Sequence, residues 1–355
     1  MLSLLIFLFI LGLLIIVHEF GHFIVAKKIG VKVEQFSLGF GPRLLKKKKG
    51  DTEYALNAIP LGGYVKFAGD NLEEYKGKPY EYFYQPPGKR FWIIFFGPLL
   101  NYCLGFLVFW LIFFAGYPTF TTKVGGVLAG YGAQEAGLQI GDKITAVDGK
   151  KVVFWEELQK IIRENKESDK VKLSVLRDNK PFTVEVRIRA KEFPDALGRG
   201  RKVSLLGITP FDEVIKVRYG FFESFFKGLN KTWELTVITC KGLFFMLTGK
   251  ISFRDSVTGP LGIFNITSAA ARLGVIAVLQ VIAILSISLG IFNLLPLPVL
   301  DGGHIFLLGI EKIRGKTLSL KAERFVTQAG LSLIIALAAF VTYNDIMRIF
   351  GSKPR

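Results

Sequence analysis

His18, Glu19 and His22 form the pattern H-E-x-x-H inside the apolar run that begins the chain. Side chains four apart on a helix leave one face about one turn apart, so both imidazoles can reach a single metal ion. Glu19 lies about 100° round the axis from His18, near enough to take a proton from an attacking water without being a ligand. The chemistry encoded is hydrolysis at a zinc ion, with two ligands and a general base. The competing reading is a polar accident in a buried helix. Unpaired ionisable groups in a lipid-facing helix are costly and usually mark function, which favours zinc.

The elements that must hold these residues are membrane spans. Half of the 355 residues are hydrophobic and 14% are aromatic, too apolar for an ordinary soluble domain. Residues 2–26 are apolar apart from the motif and long enough to cross a bilayer. No basic residue precedes them and no small-residue cleavage site ends them, so a cleaved signal peptide is not expected. Further spans fall at 91–117, 273–300 and 325–349. The net charge of +17 resides in segments flanking these runs: Lys27, Lys28 and Lys32, the run from Lys46 to Lys49, Lys89 and Arg90, then residues 312–324. Short basic connections mark the cytoplasmic side. The charges are not interleaved with stacking aromatics, which excludes nucleic acid as a partner. Cys103 and Cys240 stand far apart and support neither a disulfide framework nor a metal pair.

Four spans make the first and third run in the same direction, from outside to inside. His18 and His22 then sit roughly 7–14 Å inside the cytoplasmic end, at 1.5 Å per residue from Lys27. Asp301, at the end of the third span, falls near that level. A catalytic zinc takes three protein ligands and keeps one position open, and Asp301 is the candidate third. His304 is the alternative, since it would share a helical face with Asp301. Pro296 and Pro298 forbid a regular helix just before Asp301. Irregular backbone at membrane depth is tolerated only where protein or water surrounds it. Asn293 and that extended segment are therefore candidates to bind a substrate main chain, although Asn293 also suits a helix C-cap.

Residues 30–90 hold Gly39, Gly41 and short apolar alternations, read as a small membrane-associated sheet with tight turns. Residues 119–211 have the composition of a soluble domain, with strand-like runs, an amphipathic helix at 156–163 and a hairpin at Asp178-Asn179-Lys180. Residues 212–264 are aromatic-rich but broken by charges, an amphipathic interfacial segment rather than a span. The domains expected are thus an N-terminal membrane part (1–118), the soluble insertion (119–211), the interfacial segment and a C-terminal membrane part (265–355).

The pattern A-G-L-x-x-G-D-x-I-x-x-x-D-G from Ala136 to Gly149 resembles a PDZ domain of the bacterial protease-associated kind. Ala133-Gln134-Glu135 replaces the proline usual before its helix turn. Taken with H-E-F-G-H, the G-x-G loop, G-P-x-x-N from Gly97 to Asn101 and N-x-x-P-x-P-x-x-D-G-G from Asn293, the chain resembles the site-2 protease family over almost its whole length. Its bacterial RseP type is the nearest in pattern, and several members of that type carry two PDZ domains where this chain has room for one.

The resemblance implies a multi-pass α-helical membrane protein of four transmembrane helices, with one inserted extracytoplasmic PDZ-like α/β domain. It implies an intramembrane zinc metalloendopeptidase in the bacterial inner membrane, its active site toward the cytoplasm. His18, His22 and Asp301 would hold Zn2+ and Glu19 would be the catalytic acid–base. The Gly39/Gly41 loop and the segment of Asn293, Pro296 and Pro298 would hold substrate in extended form. Partners would be single-span membrane proteins such as anti-sigma factors or remnant signal peptides, membrane lipids, and a peptide at the PDZ groove; the chain would be a monomer. A catalytically silent PDZ scaffold or chaperone is the alternative. A zinc transporter fits less well, because its ionisable residues would be spread along a path.

Overall fold

The computed structural model describes residues 2–165, 169–194, 200–252, 254, 257–317 and 319–351. In chain order its elements begin with α1 (Leu2–Ile29), β1 (Val33–Lys49), β2 (Thr52–Phe67) and α2 (Pro87–Ala115). There follow β3 (Tyr117–Phe120), β4 (Val124–Val127), α3 (Gly132–Glu135), β5 (Lys143–Val147), β6 (Lys150–Lys151) and α4 (Trp155–Glu164). Next come β7 (Lys170–Arg177), β8 (Lys180–Arg187), β9 (Arg189–Pro194), β10 (Gly200–Leu205), β11 (Ile208–Pro210) and β12 (Val214–Val217). The chain ends with α5 (Phe221–Leu247), α6 (Pro260–Leu273), α7 (Val275–Asn293), α8 (Asp301–Arg314) and α9 (Leu320–Gly351). Contacts separate two units: Met1–Ile112 with Phe225–Phe244 and Ser252–Arg355, and Phe113–Ser224 with Phe245–Ile251.

In the first unit, α1, α2, α7 and Arg324–Met347 of α9 are long and apolar enough to cross a membrane. A helix suits that setting because every backbone group is satisfied within the segment. α1 stops where Gly30 turns left-handed (φ +89°). The Gly30 and Val31 amides then close onto Lys27 O and Ala26 O, a Schellman-type cap. The third span is shorter than 273–300: α7 ends at Asn293 and helix resumes only at Asp301. Pro296 and Pro298 between them lack the N–H that a continuing helix needs.

β1 and β2 each bend, giving a sheet four segments wide. Residues 62–67 pair with 33–38 (Phe67 with Val33, Val65 with Phe36, Gly63 with Leu38). Residues 53–56 lie on the other side of 35–38, and 43–49 lie beyond them. The two edges are therefore 62–67 and 43–49. α2 and α7 approach closely at small residues. The ideal Cβ position of Gly105 lies 2.4 Å from Ile287 Cγ1, that of Gly290 lies 2.9 Å from Pro98 O, and Ser286 Oγ donates to Asn101 O at 2.7 Å.

α5, in the segment expected to lie in the interface, packs along α2. Gly228 meets the Trp110 backbone, and the Tyr102 and Thr236 hydroxyls are 2.9 Å apart. The Asp345 carboxylate of α9 accepts the Gly259 and Gly262 amides at 3.2 and 2.9 Å, satisfying the open amides at the start of α6.

The second unit is built on the sheet β6-β5-β7-β8. α4 buries Trp155, Leu158 and Ile162 against Val124, Ile144, Leu173 and Val186. The β7–β8 turn places Asp178 and Asn179 at φ +47° and +61°, the backbone of a two-residue hairpin that Asn and Asp tolerate. β12 and the first half of β3, with which it pairs, lie outside the expected limits of 119 and 211, and the unit comprises Phe113–Ser224 with Phe245–Ile251. That pairing joins residues nearly a hundred apart, which no local pattern encodes.

Candidate active site

α1 carries His18 and His22 toward α2. Two glycines permit the approach: an ideal Cβ on Gly21 would lie 2.2 Å from Phe96 O, and one on Gly97 2.3 Å from both Nε2 and Cε1 of His22. His22 Nδ1 donates to the Ile93 carbonyl at 2.9 Å. That bond fixes the proton on Nδ1 and leaves Nε2 bare.

Asp301 arrives from the opposite end of the sequence. It is the first residue of α8, where the positive end of the helix favours an anion. Gly302 and Gly303 let this turn rest directly on the preceding chain; a Cβ on either would meet Leu294 O or Leu297 O within 2.3 Å. Val299, just before it, is held at φ +76°. A β-branched residue there is strained by about 1–3 kcal/mol, a cost found chiefly where surrounding structure fixes a functional segment.

The donor atoms of His18, His22 and Asp301 all lie within 4.8 Å of one another. His18 Nε2 is 3.2 Å from His22 Nε2 and 3.2 Å from Asp301 Oδ2, and His22 Nε2 is 3.6 Å from Asp301 Oδ1. Ligands about 2.0–2.1 Å from a tetrahedral zinc stand about 3.3–3.4 Å apart, close to these separations. Asp301 Oδ2 is buried and accepts no hydrogen bond among the described residues. The bare His22 Nε2 faces Asp301 Oδ1, and the unsatisfied Oδ2 stands against His18 Nε2, a donor set that a cation completes. His304 stands outside this cluster.

A cavity of about 490 Å3 opens beside the cluster. Glu19 lines it together with Tyr64, Val65 and Phe67 of the 62–67 edge. The Val65 backbone interacts with the Glu19 carboxylate, and a Cβ on Gly63 would lie 3.3 Å from Glu19 Cγ. Of the residues expected to hold substrate, Asn293 and Pro298 line the cavity; Gly39, Gly41 and Pro296 do not. Gly39 and Gly41 instead make the bend in β1, both at φ +84°. Asn57 pins that bend by donating to Gly39 O and Ser37 Oγ at 2.9 Å. Sequence reasoning saw the glycines but missed the edge strand, because pairing over 20 or more residues decides which segment is left unpaired. Gly62-Gly63, next to a Tyr-x-Lys alternation, was the available signal.

The peptidase family M50 model matches residues 6–337. A Clostridium acetobutylicum protein with a provisional zinc-metalloprotease name is 34% identical over 340 residues, spanning 95% of each chain. One from Campylobacter jejuni, similarly named, is 31% identical over 350 residues, 96% of this chain and 92% of that one. The regulator of sigma-E protease RseP of Escherichia coli is 29% identical over 447 residues, 97% of this chain and 98% of its own length. Among solved structures, the PDZ domain of the SdrC-like protein of Listeria innocua is 26% identical, covers 26% of this chain and 96% of that one, and has a TM-score of 0.21.

Proposed function

The chain belongs to peptidase family M50, and from that premise we propose that His18, His22 and Asp301 hold its zinc and that Glu19 moves the proton. The protein is an intramembrane zinc metalloprotease. The observation that carries the assignment of residues is the convergence of three donor atoms within 4.8 Å, two from α1 and one from the start of α8.

A transmembrane substrate satisfies its own amides in a helix, which hides the scissile bond. To be cut it must unwind, and its freed groups need new partners. We propose that the 62–67 edge supplies them: an extended substrate segment adds there as a further strand, alongside Glu19. Asn293 and Pro298 border the same cavity from the other side and support the strand. His18, His22 and Asp301 would hold zinc, which when bound would supply polarisation of the scissile carbonyl and activation of water. Glu19 accepts the proton that the attacking water gives up, then returns it to the leaving amine. The Val65 backbone beside its carboxylate holds Glu19 against the strand edge.

We propose that the basic segments after α1 and before α9 lie in the cytoplasm, with the second unit outside. The substrates proposed are single-span membrane proteins.

The test is cleavage of a single-span model substrate by full-length protein in detergent, with bound zinc quantified. Glu19→Gln is expected to keep zinc and lose at least about a hundredfold in rate. Asp301→Ala is expected to lose both zinc and activity. Zinc undiminished in Asp301→Ala removes Asp301 from the ligand set and makes His304 its replacement.

A further inference from the structure

α2 touches the two histidines at three successive positions of one helical face: Ile93, Gly97 and Asn101. The spacing of four matches that of His18 and His22 themselves, so the two helices meet turn against turn. Ile93 contributes its carbonyl to His22 Nδ1 at 2.9 Å. Gly97 contributes the absence of a side chain. An ideal Cβ there would stand 2.3 Å from His22 Nε2, which no relaxed carbon tolerates, and a tight 3.0 Å from His18 Cε1. The Gly97 carbonyl is also an acceptor for the His18 ring.

Asn101 is fully buried, and its amide nitrogen lies 3.4 Å from His18 Nδ1. Its Oδ1 has no partner among the described residues. If His18 is to offer Nε2 to a metal, its proton must sit on Nδ1, and only an acceptor suits that proton. A half-turn of the amide puts Oδ1 against Nδ1 and gives the orphaned oxygen its bond. The partner of a ligating imidazole commonly fixes both tautomer and ring plane.

We propose that Gly97 and Asn101 of α2 are positioning residues of the metal centre: Gly97 makes room for both imidazoles, and Asn101 accepts the His18 Nδ1 proton so that Nε2 faces the ion. This rests on the ligand reading of His18, His22 and Asp301, and the experiment separates the two.

Zinc affinity of the full-length protein in detergent is measured by competition with a chromophoric chelator, and metal-stripped samples are melted alongside. Asn101→Leu is expected to weaken zinc binding about 10–100-fold, and Gly97→Ala at least as much. The methyl of Gly97→Ala crowds the imidazoles in the stripped protein too, so its melting temperature is expected to drop modestly while its zinc affinity falls much further. Asn101→Asp, whose carboxylate is a stronger acceptor of the same proton, should bind zinc as tightly as wild type or more so. Asn101→Ala serves in place of the leucine variant if that one does not fold.

Wild-type affinity in Gly97→Ala or in the apolar Asn101 variants overturns the proposal, as does an Asn101→Asp variant no better than Asn101→Leu. His22→Phe is the control for the ligand reading. If it keeps zinc, that reading fails; if it loses zinc while the α2 variants do not, only the positioning role fails.

Discussion

Glu19 works between two constraints, a metal cluster on its own helix and a strand edge across from it. Gly63 is the point of contact, with Ile15 Cγ2 2.8 Å and Glu19 Cγ 3.3 Å from where its Cβ would be. A valine there must push one of them aside. Gly63→Val is expected to lower the cleavage rate about a hundredfold, as misplacement by an ångström does, while bound zinc stays stoichiometric. A loss of zinc would mean that the sheet supports the ligands and not the base.

In the second unit, Asp142 is buried. Burial by itself would raise its pKa, yet two 2.7 Å bonds from Arg177 and the Gln139 amide hold it below the ordinary carboxylate value. A depressed pKa in the folded state contributes stability above the unfolded value of about 4, lost as pH falls through the folded value. Melting of the β signal should therefore drop on acidification below about pH 4. Asp142→Asn should lower the melting temperature at neutral pH and flatten that dependence; an unchanged acid limb would assign it to other carboxylates.

The helices position the site through contacts that lie well away from it. Arg90, at the start of α2, pairs with Glu311 near the end of α8, and both are shielded from solvent. Arg90 also donates to Gln85 O at 2.9 Å and lies over the Tyr82 and Phe83 rings. The pair ties the helix under the histidines to the helix that starts with Asp301. Removing one partner of a buried ion pair costs about 3–5 kcal/mol, whereas replacing both with apolar residues is often neutral. Glu311→Ala is expected to show that loss in denaturant unfolding, with zinc affinity falling alongside. Arg90→Met with Glu311→Leu should recover most of the stability. Failure of the double variant to recover would show that charge itself, beyond packing, holds α8. Gly330 of α9 belongs to the same support: a Cβ there would lie 2.4 Å from Pro298 Cβ, so α9 backs directly onto the strained turn before Asp301.

As a whole, the molecule joins a membrane unit that carries the chemistry to an inserted unit whose chain ends lie together. Tyr219 N donates to Phe113 O at 3.2 Å, and Gly116 stands against Arg218. The insertion can thus be excised without stretching the chain. We predict that it excludes substrates with bulky external domains, so that an earlier cut must trim them. Replacing residues 117–217 with a short Gly/Ser linker should allow cleavage of an untrimmed substrate. Continued refusal, with zinc intact and a trimmed substrate still cut, removes the size-exclusion idea. The limits follow β3 and β12, because stopping at 119 and 211 would cut β3 and leave β12 without half of its partner.

Several features were legible in the amino-acid sequence because they are local. Helix periodicity alone aligns His18 with His22, hydropathy marks four spans, and Asp178-Asn179 needs only its own backbone preference to turn a hairpin. The glycines of Asp301-Gly302-Gly303 and of Gly97-Pro98 were visible as letters but not as surfaces. Gly302 and Gly303 rest on the turn just before them and Gly97 on the imidazoles of another helix, and close approach leaves no periodic trace. Tertiary structure decided that 62–67 is the open edge beside Glu19 and that Gly39 and Gly41 form a bend. It placed α5 along α2, and it set Ile93, Gly97 and Asn101 beneath the imidazoles. These are outcomes of which segments pack together, and packing is settled by the sum of many distant contacts that no short window of residues contains.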